Sequence, residues 1–255
     1  YFEGSVGYTR RPPLLDKLEW IDGWPQARGL WAPTDCAQQA PAARPGDIPG
    51  AQAVTQRRVD APSALVWQDN FDGSALDPAW SWVRPPSASS YQVSGGALRI
   101  DTQTTDLYED QDNAAVLLRS LPAGEWVAEA RVNLTVPAQG CCQNFAQGGL
   151  VIYGDDDNYL KLVHVSIGAT RQTEFAKEWF PVPAGWPRYG GSNAGTPGDW
   201  TWLRVVKRLY GGEELYTAYS SLDGVDWSRG SSWTHALGSA ARLGLVSMSR
   251  SGFAT

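Results

Sequence analysis

Residues 148–163 read GGLVIYGDDDNYLKLV, with two apolar runs on either side of an acidic tip that contains glycine. β-Branched and aromatic residues flanking turn residues are typical of a β-hairpin. In the second run, Leu160 and Leu162 alternate with Tyr159 and Lys161. Because successive strand residues point to opposite faces, we expect the leucines to face a core. We expect the face with the ring and the ammonium group to be half-solvated.

Further short segments with the same alternation follow residue 64, and turn residues separate them. No convincing amphipathic helix interrupts them, and roughly 190 residues suit a two-sheet sandwich of the jelly-roll type. The predicted strands are Leu65–Phe71, Tyr91–Val93, Ala97–Asp101, Ala114–Arg119, Trp126–Thr135, Gly148–Tyr153, Tyr159–Ser166, Thr170–Phe175, Trp200–Arg208, Leu215–Ser220 and Arg242–Met248.

The composition limits the classes of function. The chain has 255 residues and a net charge of -6, and it carries no basic stripe, so a nucleic-acid partner is not expected. Its apolar runs are far shorter than the roughly 20 residues of a membrane helix. The 13 Trp, 10 Tyr, 27 Gly and 17 Pro suit an all-β fold with aromatic surfaces. Carbohydrate-active proteins have this composition, but so do sandwiches that bind nothing.

The three cysteines are Cys36, Cys141 and Cys142, and an odd number leaves at least one thiol without an intrachain partner. A bridge from Cys36 to either of the others and three buried thiols both stay open. There is no CxxC spacing, and with only His164 and His235 as histidines the sequence predicts no zinc site.

The first 63 residues divide into two parts. Residues 1–30 are too short for a core of their own, and we expect one or two short strands there that complete another domain. Residues 31–63 are rich in Pro, Ala and Gln without periodicity, which predicts an extended linker. The chain begins at Tyr1 without a methionine, and we interpret it as a piece of a longer protein, so the lack of a signal peptide is uninformative.

The segment from Arg11 to Pro25, which ends in Asp-Gly-Trp-Pro, resembles the closing segment of glycoside hydrolase family 43 propellers. This resemblance covers only the last blade of a five-bladed propeller. It implies that the catalytic aspartates and the general-acid glutamate lie on earlier blades. No carboxylate of this sequence can therefore be assigned a catalytic role from the family pattern.

Three later motifs resemble the concanavalin A-like sandwich that follows the propeller in many family 43 xylosidases and arabinofuranosidases. They are Asp69–Gly73 with Leu76–Trp80, Gly149–Tyr153 with Asp157–Leu162, and Ser221–Trp227. This resemblance implies a sandwich over residues 64–255. It also implies a final strand after the segment equivalent to Ser251–Ala254, and its loss would leave an open sheet edge.

The two resemblances together imply the C-terminal part of a secreted, inverting glycoside hydrolase. Its substrate would be an arabinose- or xylose-containing plant polysaccharide, and the sandwich would brace the catalytic propeller, its partner domain. By this interpretation the 255 residues alone are inactive. Two alternatives remain, a stand-alone carbohydrate-binding module and a purely structural interaction domain.

Sugar binding requires aromatic planes for C–H stacking and a few planar polar groups for hydroxyls. The sheet faces and the segment after residue 170 supply such side chains, although packing under loops is the alternative. The predicted carbohydrate-binding residues are Tyr159, Lys161, Glu174, Trp179, Trp202 and Arg204.

Carboxylates suggest two further kinds of chemistry. Asp69 and Asp72, with backbone carbonyls, are the predicted calcium ligands, ahead of the acidic tip Asp155–Asp157. Glu174 and Glu178 are four residues apart, and glycosidases use two carboxylates. The alternating Glu-x-Asp-x-x-Glu strand of family 16-type sandwiches is absent, however, so the sequence does not predict catalysis on the sandwich.

Overall fold

The computed structural model describes residues 18–21, 24–27, 38–39, 53–54, 64–136, 144–168 and 170–249. Strands β1 to β19, in chain order, are Leu18–Ile21, Trp24–Ala27, Gln38–Gln39, Ala53–Val54, Ser81–Val83, Tyr91–Val93, Leu98–Ile100, Leu107–Tyr108, Gln111–Asp112, Val116–Ser120, Trp126–Val132, Gln147–Asp155, Asn158–Ile167, Thr170–Glu178, Tyr189–Asn193, Thr201–Tyr210, Glu213–Ser221, Ser228–Thr234 and Arg242–Met248. A short 3-10 helix spans Ala88–Ser90. No helix in these ranges is long and apolar enough to cross a membrane.

The main body is a sandwich of two antiparallel sheets, as predicted. The larger sheet has the order β15-β14-β13-β12-β19-β10-β5, and the smaller sheet has the order β11-β16-β17-β18. One core cluster lies between them, with Leu160, Leu162 and Phe175 from the larger sheet and Leu203 and Val205 from the smaller. The alternation along each strand therefore decides which residues face the other sheet.

The hairpin of β12 and β13 lies near the middle of the larger sheet. Its register pairs Leu150 with Leu162 and Tyr153 with Tyr159, and a bulge follows before Asp155. Two glycines permit the close approach of neighbouring strands. A Cβ at Gly149 would lie 2.4 Å from the Leu162 carbonyl oxygen, and one at Gly244 would lie 2.5 Å from Val151 Cγ1.

The expectation of a half-solvated outer face on β13 is wrong. A second core cluster lies on this side of the larger sheet, and it includes Tyr159, Val163 and Leu107. Tyr159 is fully buried and Lys161 is 2% exposed. The reason is that residues 106–112, which form β8 and β9, cross this face and shield it from water.

Ten of the eleven predicted strands are present, several with slightly different ends. The exception is Leu65–Phe71, which is irregular. Phe71 has a φ of 54°, and its N–H donates to Asp69 Oδ1 at 2.8 Å. This local hydrogen bond replaces sheet pairing. The edge strands β5, β15 and β18 were not predicted.

Only short pieces of the first 63 residues are described. β1 and β2 pair as an antiparallel hairpin, which agrees with the expected one or two short strands. β3 and β4 pair within the predicted linker. Whether residues 1–30 complete a propeller stays a prediction. The three cysteines, most of the linker and the segment after Ser249 lie outside the described residues.

Candidate functional site

The structure divides five of the six predicted carbohydrate-binding residues between the outer faces of the two sheets. Tyr159, Lys161 and Glu174 project from the outer face of the larger sheet, since they alternate with core residues such as Leu160 and Phe175. The other strand residues, Trp202 and Arg204, alternate with Leu203 and Val205 on the smaller sheet. The two groups are therefore on opposite sides of the sandwich.

On the larger sheet, one backbone carbonyl binds two of the predicted side chains. Tyr159 Oη donates to Leu107 O at 2.5 Å, and Lys161 Nζ donates to the same oxygen at 3.2 Å. Burial lowers the pKa of Lys161, against the opposing field of the Glu174, Asp106 and Glu178 carboxylates. Both side chains thus hold residues 106–112 on the sheet. Their role in glycan binding stays a prediction.

Glu178 is the centre of a buried polar network beneath the same segment. Its Oε2 accepts the Glu109 N–H at 2.9 Å, and it lies 2.7 Å from Tyr159 Oη, whose single proton is shared between this oxygen and Leu107 O. Its Oε1 lies 2.7 Å from Arg188 Nε. Burial raises the pKa of Glu178, although these donors act in the opposite direction. Arg188 also binds Asp110 at 2.7 Å and the carboxylate of Asp157.

Glu174 is closer to the surface than Glu178 on the same face of β14. Its Oε1 accepts a hydrogen bond of 3.3 Å from Tyr189 Oη, and its side chain lies across Gly191, where a Cβ would approach it to 2.5 Å. Glu178 is fully buried; its Oε2 already accepts two protein donors and its Oε1 is in the ion pair with Arg188. The two carboxylates therefore do not line a shared open cleft of the kind that a glycosidase pair needs.

Trp179 follows β14 and belongs to neither outer face. Its ring lies 4.8 Å from Lys177 Nζ, and its Nε1–H donates to Pro187 O at 3.2 Å. Burial lowers the pKa of Lys177 to about 8. The indole therefore contacts the loop that leads to β15, and its role in glycan binding stays a prediction.

The outer face of the smaller sheet is open at its β11 edge, whereas Val206, Thr217 and Tyr219 farther into the same face are buried. Arg204 Nε lies 2.7 Å from Glu129 Oε1, and its guanidinium lies 3.6 Å from the centre of the Trp227 ring. Trp202 packs on the β17–β18 turn, where a Cβ on Gly224 would be 3.0 Å from the ring. Arg131 faces Trp202 across the β11–β16 pair.

Arg131 and Trp200 were not among the predicted site residues, although they adjoin Trp202. The spacing of Trp200 and Trp202, two residues apart at the start of a strand, places both rings on one face and was a usable signal. The position of Arg131 depends on the pairing of β11 with β16, which no local pattern reveals.

Both predicted calcium ligands occur in a loop rather than in a strand. Asp69 accepts the Phe71 N–H at 2.8 Å and the Trp80 Nε1–H at 2.7 Å, and it lies 3.8 Å from Arg119. Asp72 is exposed. Within the described ranges, no group of three Asp, Glu, His or Cys residues is arranged to hold a metal ion. Calcium binding at Asp69 and Asp72 stays a prediction.

The acidic tip of the central hairpin is paired with protein cations. Arg84 binds both oxygens of Asp156, at 2.8 and 2.7 Å, and the Tyr153 hydroxyl donates to Asp156 at 2.7 Å. Burial alone would raise the pKa of Asp156, but these hydrogen bonds outweigh it and lower the pKa. Asp157 binds Arg188, so the tip fixes neighbouring loops.

Comparison with solved structures places the fold in a known class. The chain is similar to the GH43 protein BlXynB of Bacillus licheniformis (19% identity, TM-score 0.54, 94% of this chain and 43% of that one). It is also similar to the xylan beta-1,4-xylosidase of Bacillus halodurans C-125 (16%, 0.56, 93% and 44%) and to a bifunctional GH43-CE protein of Bacteroides eggerthii (15%, 0.57, 93% and 28%). The chain thus spans less than half the length of each.

A family model described as "Beta xylosidase C-terminal Concanavalin A-like domain" matches residues 68–229. This match covers more than half of the 255 residues, and the chain belongs to that family. A search of curated proteins found no match.

Proposed function

We propose that these residues are the C-terminal part of a family 43 glycoside hydrolase, in which the sandwich is an accessory domain to a catalytic propeller. The substrate is an arabinose- or xylose-containing polysaccharide, cleaved with inversion. The enzyme is secreted, because a polymer of this size does not enter cells. The sandwich braces the propeller and contacts the glycan.

The observation that carries the proposal is the family match over residues 68–229, together with fold similarity to a GH43 protein and a xylan beta-1,4-xylosidase, each more than twice as long as this chain. The state of the carboxylates agrees with an accessory role. Glu178 is buried and bound by Glu109, Tyr159 and Arg188, so it is not free to act as an acid or a base toward a substrate.

The test is hydrolysis of aryl arabinofuranoside and aryl xyloside by the 255-residue chain, beside a longer form that includes the complete upstream propeller. We expect activity in the longer form only. Activity in the short form that Glu174→Gln or Glu178→Gln abolishes would contradict the proposal and would assign catalysis to the sandwich.

A stand-alone glycan-binding module is the second candidate, and one observation favours it. The smaller sheet presents Trp200 at 44% exposure beside the partly exposed Trp202, and exposed indoles suit sugar stacking. Glycan binding by the 255-residue chain, with no hydrolysis by the longer form, would support this second candidate over the first.

A further inference from the structure

Arg131 lies between two indole rings on the outer face of the smaller sheet. Its guanidinium carbon is 4.5 Å from the centre of the Trp200 ring and 5.9 Å from that of Trp202. Arg131 and Trp202 are direct partners in the β11–β16 register, and Trp200 lies two residues before Trp202. The three side chains therefore form one row across two strands, within the reach of cross-strand neighbours.

The polar edge of Arg131 is available for a ligand. Arg131 is exposed, and among the described residues no carboxylate, carbonyl or hydroxyl group accepts a hydrogen bond from it. Arg204, its neighbour on the same face, is by contrast bound to Glu129. The indoles orient the guanidinium by cation–π contact and leave its five N–H donors unused by described acceptors.

Trp200 adds an exposed aromatic surface at the same place. It is 44% exposed, and Leu222 and Val225 on the adjacent β17–β18 turn are 55% and 77% exposed. Carbohydrates present C–H groups on one face of the ring and hydroxyl groups around its edge. An exposed indole beside an oriented guanidinium fork matches both features.

We infer that Trp200, Arg131 and Trp202 form a binding subsite for a neutral sugar unit of a polysaccharide. Trp200 stacks on the sugar face, Arg131 donates to two adjacent hydroxyl oxygens, and Trp202 holds Arg131 in place. The inference rests on the proposed function for the class of ligand. It adds the place of contact, which differs from the covered face of the larger sheet.

The charges around the row favour a neutral sugar over an acidic one. Asp199 precedes Trp200, and Asp223 and Asp226 lie in the turn against which Trp202 packs. The Asp223 carboxylate is fixed by the Val225 and Asp226 N–H groups, and its pKa is lowered by these hydrogen bonds. The three carboxylates offset the positive charge of Arg131, so a polyanion gains no net attraction.

The test measures binding of the 255-residue chain to soluble neutral arabinoxylan by isothermal titration calorimetry and affinity electrophoresis. Trp200→Ala and Arg131→Ala should each weaken binding about tenfold or more, which corresponds to the loss of one good contact. Trp200→Phe keeps an aromatic plane and should stay within about threefold of the parent. Arg131→Lys keeps the charge but loses the fork, so it should resemble Arg131→Ala.

Two exposed residues elsewhere provide matched controls. Arg99 is exposed on β7 and donates to Ser94, and Trp186 is 38% exposed on the loop after β14. Arg99→Ala and Trp186→Ala should leave binding unchanged. Thermal unfolding of each variant checks that it is folded.

Unchanged binding in Trp200→Ala and Arg131→Ala would overturn the inference, as would the absence of binding in the parent. Stronger binding of polygalacturonate than of arabinoxylan would also overturn it.

Hydrolysis by the longer form separates the binding subsite from the proposed function. If the longer form is active and the variants bind normally, the subsite is wrong and the proposed function stands. If the longer form is inactive but the variants lose binding, the subsite stands and the enzyme proposal fails.

Discussion

On the outer face of the larger sheet, Tyr159 is fully buried and Lys161 is 2% exposed. On the outer face of the smaller sheet, Arg131 is exposed and Trp200 is 44% exposed. Both faces combine aromatic rings with cations and carboxylates. The covered face uses these groups to bind residues 106–112, whereas the open face, which is the β11 edge of the smaller sheet, leaves at least one guanidinium available.

The difference shows that side-chain type does not decide whether a sheet face binds a ligand. Tyr159 and Lys161 have the chemistry of a sugar site, but their donors are engaged by the Leu107 carbonyl. What decides is whether another part of the chain crosses the face.

The largest effect is expected for Glu178→Ala on the covered face. Removal of this buried carboxylate leaves the Glu109 N–H without its acceptor and takes one acceptor each from the Tyr159 hydroxyl and Arg188. Loss of one partner of a buried pair costs about 3 kcal/mol or more of unfolding free energy. Urea unfolding at pH 7 measures it.

Glu178→Gln is the matched control, since it keeps the shape and one acceptor oxygen and loses only the charge. It should lie between the parent and Glu178→Ala. A loss below about 1 kcal/mol in Glu178→Ala, the range of a surface pair, would mean that the covered face is open in solution.

An intermediate effect on the unfolding free energy is expected from His164, whose buried imidazole is a polar group in an apolar place. His164 is 4% exposed, and among the described residues neither of its ring nitrogens has a hydrogen-bond partner. Burial, with the nearby Arg171, lowers the pKa of His164 to about 4 from the usual 6.5. The unfolded chain therefore binds a proton that the folded chain does not, and stability falls as the pH drops from 6.5 toward 4.

The variant His164→Leu removes this proton uptake. Between pH 7.5 and pH 5.5 the parent should lose about 1 kcal/mol more unfolding free energy than His164→Leu. Urea unfolding at the two pH values gives the difference, in which the other titrating groups largely cancel. Equal pH dependence in the two proteins would show that His164 is not buried as described.

The smallest effect is expected for Glu129→Ala on the open face. Glu129 is exposed and pairs with Arg204, which keeps its contact with Trp227 when the carboxylate is removed. Because Glu129 is exposed but Arg204 is only 9% exposed, the loss should be about 1 kcal/mol in the same urea assay, well below that of Glu178→Ala. A loss as large as that of Glu178→Ala would remove the energetic distinction between the two faces.

The sequence predicted the strands of the sandwich well because their apolar residues alternate. β19 has the predicted bounds, and the central hairpin pairs as expected around residues 148–163. Edge strand β15 was missed because its Tyr-Gly-Gly-Ser-Asn sequence has low strand propensity. The irregular course at Phe71 depends on the Asp69 side chain, which propensity does not include.

The candidate site was less predictable than the fold. The alternation of Tyr159 and Lys161 with leucines gives the direction of each side chain but not what covers it. Residues 106–112, about fifty positions earlier in the chain, cover both side chains. Their placement depends on tertiary contacts between residues that are distant in sequence. Arg131 joins Trp200 and Trp202 for the same kind of reason, through the register of two distant strands.

The most direct test of the account is amide hydrogen exchange of the 255-residue chain with and without soluble arabinoxylan. We predict slower exchange at residues 129–132 and 199–204 when the glycan is bound, and no change at residues 106–112 and 159–178. Protection of the second set without the first would show that glycan binds the covered face, and it would contradict the account. Absence of any protection at saturating arabinoxylan would contradict it as well.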